Sequence, residues 1–316
     1  MPDPRPDDPR RADARREDPR RGDPRRADAR SLLQRYDLRP RRSLGQNFLV
    51  DPTAPARIAA CAELTAADTA LEVGAGLGTL TAELATRAGR VIAVETDPQL
   101  VSVLNIELDP YPNVEIVHAD ILAVDPAEVL GARDAADAGR ALWGPRLPHY
   151  QVVANLPYYI TNAVVRHLLE APVRPARMVI TVQREVAERM VAGPGDMSLL
   201  AVSVQFYGSP RICLRLKRGA FHPVPQVASA VVRVDLYDDP PVAVDDVAGF
   251  FRVVKAGFGQ RRKQLRNALS ADLALAPQAV EAALTAGGID PTRRAETLSI
   301  AEWGQLHAAL APLLEA

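Results

Sequence analysis

Short apolar runs punctuate the chain at regular intervals, and between them the apolar period lengthens from two or fewer residues to between three and four. The runs at 69–73, 91–94, 114–117 and 152–154 are rich in Val, Ile, Leu and Ala and end at glycine, acidic or proline-flanked positions. Such runs predict strands buried on both faces, as in a parallel sheet. Helical spacing predicts helices from about Ala54 to Leu64, from the glycine turn after Val73 to about Arg87, and from Ile160 to Leu169. Further strands are predicted at Arg177–Gln183, Ala201–Tyr207 and Ser229–Leu236, with a charged helix from Arg184 to Val191. Alternating basic and apolar residues from Arg211 to Arg218 predict a strand with one cationic face. Beyond Asp238-Asp239-Pro240-Pro241 every predicted segment is helical: about Val244–Gly257, Arg261–Ala271, Pro277–Ala286 and Ala301–Leu314. The order predicts an α/β domain over residues 31–238 and a small all-helical domain over 241–316.

Residues 1–30 repeat Asp-Pro-Arg-Arg and Ala-Asp-Ala-Arg units with almost no large apolar side chain. Such a segment buries too little surface to offset its ordering entropy, so a disordered tail is expected. It reads as a solvated extension before an RNA tether, because its acids nearly balance its arginines. The Ala-, Gly- and Arg-rich stretch from Asp125 to His149 reads as a loop or short helix carrying an insertion at about 131–148, and no function is assigned to it.

At 316 residues with 47% hydrophobic content, the chain has material for two domains and a substantial core. A net charge of −1 excludes a uniformly basic coat, so any nucleic acid is held by local patches. Cys61 and Cys213 lie far apart in sequence and the five histidines include no metal-spaced pair, so neither a metal site nor a disulfide framework is expected. No run of about 18 apolar residues predicts a membrane span, and no export signal is visible. A cytoplasmic protein is expected. No dimer stripe stands out, so a monomer is expected.

Three acidic or amide positions follow predicted strands. Glu72-Val73-Gly74-Ala75-Gly76-Leu77-Gly78 closes the first strand with a glycine spacing that differs from both the dinucleotide fingerprint and the phosphate loop. Glu95, at the end of the second strand, stands where a ribose hydroxyl pair is bound. Asp120-Ile121, after the third, offers an acceptor to an adenine amine. After the fourth strand comes Asn155-Leu156-Pro157-Tyr158-Tyr159. The Asn155 carboxamide and the Leu156 carbonyl are adjacent acceptors beside an aromatic plane, which suits a planar base with an exocyclic amine. Alone, such a stretch is more often an ordinary buried turn than a base pocket. Upstream, Arg41 to Leu49 reads either as an arm packed on the domain or as a ligand contact through Gln46 and Asn47.

Six motifs in order carry a resemblance: Leu44-Gly45-Gln46-Asn47-Phe48-Leu49, the glycine turn, Asn155 to Thr161, Val182 to Arg189, Phe221-His222-Pro223, and Phe258-Gly259-Gln260-Arg261-Arg262-Lys263. Together they resemble the ribosomal RNA adenine dimethyltransferases, and within them the dimethyladenosine transferases that modify small-subunit RNA. The resemblance implies a Rossmann-like class I methyltransferase domain with S-adenosyl-L-methionine as cofactor. Its substrate would be 16S rRNA in an immature small ribosomal subunit, with a role in subunit biogenesis. Two methyls would go to N6 of each of two adjacent adenosines in the hairpin near the 3′ end. Gln46, Asn47, Leu49, Gly74, Gly76, Glu95, Asp120, Ile121 and Asn155 are then the expected cofactor contacts. After Gly195 the family's usual Tyr-Gly-x-Leu-Ser is replaced by Met197-Ser198-Leu199-Leu200-Ala201, so contacts there are not carried over.

In that reading Asn155 and Leu156, with Pro157 fixing the turn, orient the target amine. Tyr158 and Phe221 hold the flipped base between them. For Phe221 the alternative is a packing aromatic. Phosphate contacts are expected from Arg215, Lys217 and Arg218 and from Arg261, Arg262, Lys263 and Arg266, against the alternative of solvated faces. The rival functions are a large-subunit (23S) dimethyltransferase conferring macrolide resistance and a mainly non-catalytic ribosome-assembly factor. The Asn-Leu-Pro-Tyr-Tyr wording favours the small-subunit branch.

Overall fold

The computed structural model describes residues 28–41, 44–131, 146–260 and 262–314, with 146 and 148 described for their backbone alone. The repeat before residue 28, most of the stretch at 131–148, and Arg261 lie outside the described residues.

A seven-stranded sheet carries the molecule, in the order β4-β3-β2-β5-β6-β9-β7. Its strands are β2 (Thr69–Val73), β3 (Arg90–Glu95), β4 (Val114–His118), β5 (Arg146–Asn155), β6 (Arg174–Gln183), β7 (Gly208–Leu216) and β9 (Ser229–Leu236). The first five are parallel to their neighbours, and β9 runs antiparallel between β6 and β7. A second, two-stranded sheet pairs β1 (Phe48–Leu49) with β8 (Phe221–His222). Val152, Val153, Ala154, Met178, Val179 and Ile180 are fully buried, which is why these strands read as continuous apolar runs. β5 starts at Arg146, well before its apolar run, with a register irregularity between Leu147 and Gln151.

Helices cover both faces. On one side α2 (Ala54–Ala62) and α3 (Thr79–Ala85) pack on Val91, Val153, Val179 and Val231. On the other lie α6 (Thr161–Leu169), α7 (Arg184–Met190) and α8 (Leu199–Gln205). At the N-terminal side α1 (Ala29–Arg35) buries Ala29 and Leu32, so the structured chain begins just inside the boundary expected at residue 30. The remaining helices on the β3–β5 side are α4 (Pro98–Glu107) and the short α5 (Pro126–Leu130).

Helix α8 overturns one prediction. The alternation in 201–207 suggested a strand, yet Met197, Ala201 and Val204 are also spaced i, i+4, i+7, and Val202 and Phe206 i, i+4. All five are buried. Ser198 decides between the two periods: it is extended, and its Oγ accepts from the Ala201 N–H at 3.2 Å, capping the helix.

The C-terminal helices are α9 (Val247–Gly259), α10 (Leu265–Leu273), α11 (Pro277–Ala286) and α12 (Ile300–Leu314). The basic stretch expected to open α10 precedes it as a turn. Phe206, just after α8, stacks on Phe250 of α9 with ring centroids 4.6 Å apart, and Trp303 of α12 is wholly buried near Phe258. Stacking of this kind contributes about 0.5–1.5 kcal/mol beyond burial. One apolar core thus runs from the sheet into the helices across the boundary read at 238–241.

Candidate active site

The chain turns from β2 outward through β3 and β4, then returns to β5 on the other side of β2. At that reversal the carboxyl ends of the strands leave a crevice. It is lined by the arm at 44–49, the glycine turn, Glu95, Asp120, Ile121 and Asn155 to Ile160. Every residue expected to touch the cofactor is therefore at one cleft.

Gly74, Gly76 and Gly78 have φ of +73°, +61° and +77°, a region that other L residues enter only with strain. This conformation aims the Gly76 N–H at Glu95, whose Oε2 accepts it at 2.9 Å. Oε1 accepts from Thr96 and Asp97 N–H at 2.8 and 2.9 Å. Three backbone donors thus fix a nearly buried carboxylate beside the glycine turn, with lone pairs left for a diol. Asp120 is exposed at the rim; one oxygen accepts from Leu122 N–H at 3.0 Å and the other is open to the cleft. Ile121 next to it is buried and supplies an apolar wall.

Gln46 lines the cleft and also ties down the arm. Its Nε2 donates to Asp97 at 3.0 Å and its Oε1 accepts from the Arg41 N–H at 2.8 Å. Arg41 also reaches Asp97, at 3.2 Å. Both ends of the Gln46 carboxamide are engaged, so this side chain, which also lines the cleft, clasps the arm to the buried Asp97. Asn47 contributes through its backbone: its carbonyl accepts from Asn155 Nδ2 at 3.2 Å, while its own Nδ2 donates to Gly45. Leu49 is buried in the cleft wall and pairs with Phe221.

That single hydrogen bond orients Asn155. With Nδ2 committed to the arm, Oδ1 is presented without a donor among the described residues. The Leu156 carbonyl likewise accepts none of the turn and loop backbone hydrogen bonds of the described residues, and Pro157 turns the chain there. Two acceptors without a donor thus belong to adjacent residues that both line the cleft. Tyr158 is half-buried, and its hydroxyl shares a 2.6 Å hydrogen bond with the Ser229 hydroxyl, which fixes the ring; burial pushes the phenol pKa up.

Phe221 corrects the expectation of a stacking face. It is 1% exposed, packs with Leu49, Ile58 and Leu216, and does not line the cleft. Pairing of β1 with β8 turns its ring into the core. Tyr159 was not assigned a role, although it is 64% exposed and lines the cleft. Its ring lies on Gly45, where an added Cβ would come within 2.7 Å. Glu72 was also passed over. It is 1% exposed at the cleft floor with Oε2 unpartnered, and burial, aided by the negative Glu95, pushes its carboxyl up to about 8. Its only sequence signal was an acid inside an otherwise apolar strand.

The basic residues stay apart from the cleft lining. Arg215, Lys217 and Arg218 are exposed on β7 and the turn after it, with Arg218 Nε donating to the Pro225 carbonyl at 2.7 Å. Arg262 and Lys263 are exposed between α9 and α10, whereas Arg266 is paired with Glu281 at 2.8 Å. Arg261 lies outside the described residues. No group of three or more metal-ligating side chains occurs among the described residues, and none of their helices is long and apolar enough to cross a membrane.

Residues 38–311 match the family described as ribosomal RNA adenine dimethylase. The chain is 47% identical over 277 residues to a ribosomal RNA small subunit methyltransferase A from Dehalococcoides mccartyi, covering 88% of this chain and 90% of that protein. A protein of the same name from Moorella thermoacetica is 44% identical over 286 residues, covering 89% and 96%. Among solved structures, the 23S rRNA methyltransferase ErmE superposes with a TM-score of 0.64 at 29% identity, covering 84% of this chain and 99% of that one. A dimethyladenosine transferase from Plasmodium falciparum shares the fold with a TM-score of 0.63 at 20% identity, covering 83% and 96%. The match runs from the arm into the last helix and spans nearly the whole of each relative, and on that ground the chain belongs to the ribosomal RNA adenine dimethylase family.

Proposed function

We propose that this enzyme uses S-adenosyl-L-methionine to dimethylate N6 of two adjacent adenosines in the 3′-terminal hairpin of 16S rRNA, acting as a monomer on immature small subunits. The reading rests most on one observation: Asn155 Oδ1 and the Leu156 carbonyl are acceptors without a donor among the described residues, on adjacent residues that line the cleft.

The cleft fits the cofactor on its own terms. Glu95 is a fixed carboxylate for a ribose diol, Asp120 an open acceptor for an adenine amine, and Ile121 an apolar wall for the base. The glycine turn leaves room at the backbone for close approach. When bound, S-adenosyl-L-methionine supplies an already activated methyl group.

The residues then have one task, to make a poor nucleophile attack. The N6 lone pair is delocalised into the adenine ring. Asn155 Oδ1 and the Leu156 carbonyl accept from the two amine hydrogens, favouring the pyramidal form in which the lone pair is released. That interaction is strongest in the transition state, and it is orientation with charge stabilisation, not proton abstraction. The alkylated ammonium is acidic enough to lose its proton to water. A monomethylated amine retains one hydrogen, so the same acceptors serve a second transfer. Tyr158 stacks on the flipped base.

The small-subunit assignment follows the names of relatives at 40–47% identity, against 29% for the 23S enzyme. Labelled cofactor incubated with undermethylated small subunits, and separately with large-subunit particles, tests it. Dimethyladenosine confined to the small-subunit hairpin, and lost in Asn155→Ala at saturating cofactor, is the expected result. Label confined to large-subunit RNA, or binding without transfer to either, overturns it.

A further inference from the structure

The two cysteines, remote in sequence, meet in the fold. Cys61 lies in the last turn of α2 and Cys213 in β7, and both converge on the Val231–Arg233 stretch of β9. The Cys61 carbonyl accepts from Arg233 Nη1 at 3.2 Å, and the Cys213 thiol donates to the Val231 carbonyl at 3.5 Å. The β7 register slips between Ile212 and Leu214, which makes Cys213 the extra residue of a bulge, a feature that re-aims a side chain. The Cys61 thiol donates to the Arg57 carbonyl at 3.4 Å, and the two side chains are near enough for each to perturb the other's ionisation. Cys213 is exposed and Cys61 partly so, and neither lines the methyl-transfer cleft.

Their surroundings make them unequal. The guanidinium groups of Arg233, Arg211 and Arg57 lie near Cys61, and Glu63, two residues on, is tied up by Arg233 and Arg177. The neighbouring Cys213 side chain, opposed by burial and aided by those cations, holds Cys61 below the usual thiol range. The same proximity, with burial, pushes Cys213 up. One sulfur is thus a ready thiolate and its neighbour a protonated thiol, the asymmetry of a nucleophilic and a resolving cysteine.

We propose that Cys61 and Cys213 are a redox modification site that hydroperoxides convert to a reversible disulfide, stapling α2 to the edge strand β7. The Cys61 thiolate attacks one peroxide oxygen, the O–O bond breaks, and the leaving hydroxide takes a proton to become water. The resulting sulfenic acid is attacked by the Cys213 sulfur; the S–O bond breaks, and the departing oxygen leaves as a second water with the Cys213 proton. The two sulfurs are oxidised by two electrons together and the peroxide is reduced by two. In a reducing compartment such a bond is transient and responsive, not a permanent brace.

The test uses the full chain, reduced and then exposed to hydrogen peroxide. Intact mass is expected to fall by two hydrogens, and digestion to yield one cross-linked peptide joining Cys61 to Cys213, both reversed by dithiothreitol. The melting temperature of the oxidised monomer is expected to rise by several degrees, because the bond restricts a long unfolded loop. In Cys213→Ser a sulfenic acid trapped at Cys61 by a dione probe is expected, with methyl transfer before oxidation unchanged. Sulfinic or sulfonic acids at both positions of the unsubstituted protein, or only intermolecular disulfides, would overturn the proposal.

Discussion

In the cleft, Glu95 is held by three backbone N–H groups and Asn155 by the carbonyl of Asn47, whereas Arg262 and Lys263 stand exposed with no ion pair among the described residues. Under the proposed function, the contrast follows from what each region would recognise. A small ligand is oriented by a few acceptors placed before it arrives, so their rotamers are locked. A folded RNA is held by many phosphates at variable positions, where long free cations adapt at little loss.

The sharpest way to break this comparison is Asn155→Ala. It removes an acceptor fixed in advance for the transition state and is expected to lower the methyl-transfer rate about 100-fold or more, measured at saturating cofactor in single turnover. A loss of only a few-fold would mean that the locked amide is not where the chemistry occurs. Next in size is Glu95→Ala, which frees three backbone donors and removes the diol acceptor. Cofactor dissociation constants are expected to rise at least about tenfold by calorimetry, in line with about 1.5–3 kcal/mol for hydrogen bonds to a charged group.

A third effect belongs to the cleft alone. Glu72 ionises at an ordinary value of 4.5 when unfolded but at about 8 in the fold. Between those values the folded chain keeps a proton that the unfolded chain has lost. Its contribution is therefore to make stability fall as pH rises from about 4.5 to about 8, and to level off above. Glu72→Gln is expected to flatten that decline, leaving the melting temperature at pH 8 higher than that of the unsubstituted protein by about 2–4 °C or more. An unchanged pH profile would show that Glu72 is already ionised.

The smallest effects lie on the basic surface. Arg262→Ala and Lys263→Ala are each expected to weaken RNA binding modestly and to reduce the salt slope of log affinity by about one. Arg266→Ala should do less, since Glu281 already engages that guanidinium. Equal slopes for all three would remove the distinction between free and paired cations.

Much of the cleft was legible because the same residues carry both local geometry and chemistry. Glycines with positive φ, an acid closing β3 and a proline after Asn155-Leu156 each leave a mark that a linear chain displays. The inner strands of the parallel sheet were equally plain, since burial on both faces removes most polar positions from the run, whereas the edge strand β4 keeps Glu115 and His118 exposed. At 201–207 the apolar positions satisfied two periods at once, and the Ser198 cap settled the matter for a helix.

What the sequence determined by itself was therefore the alternation of strands and helices, the crevice at the strand ends, and the acceptors delivered to it. Only the tertiary structure decided which way side chains turn. It spun Phe221 into the core through pairing of β1 with β8, and closed both ends of Gln46 onto Asp97 and Arg41. It also left Tyr159 on the rim and brought Cys61 against Cys213 across α2 and β7. Backbone conformation is written in neighbouring residues, because sterics and local hydrogen bonds act over a few positions. The partner of a side chain is set by elements remote in sequence, and appears only when they pack.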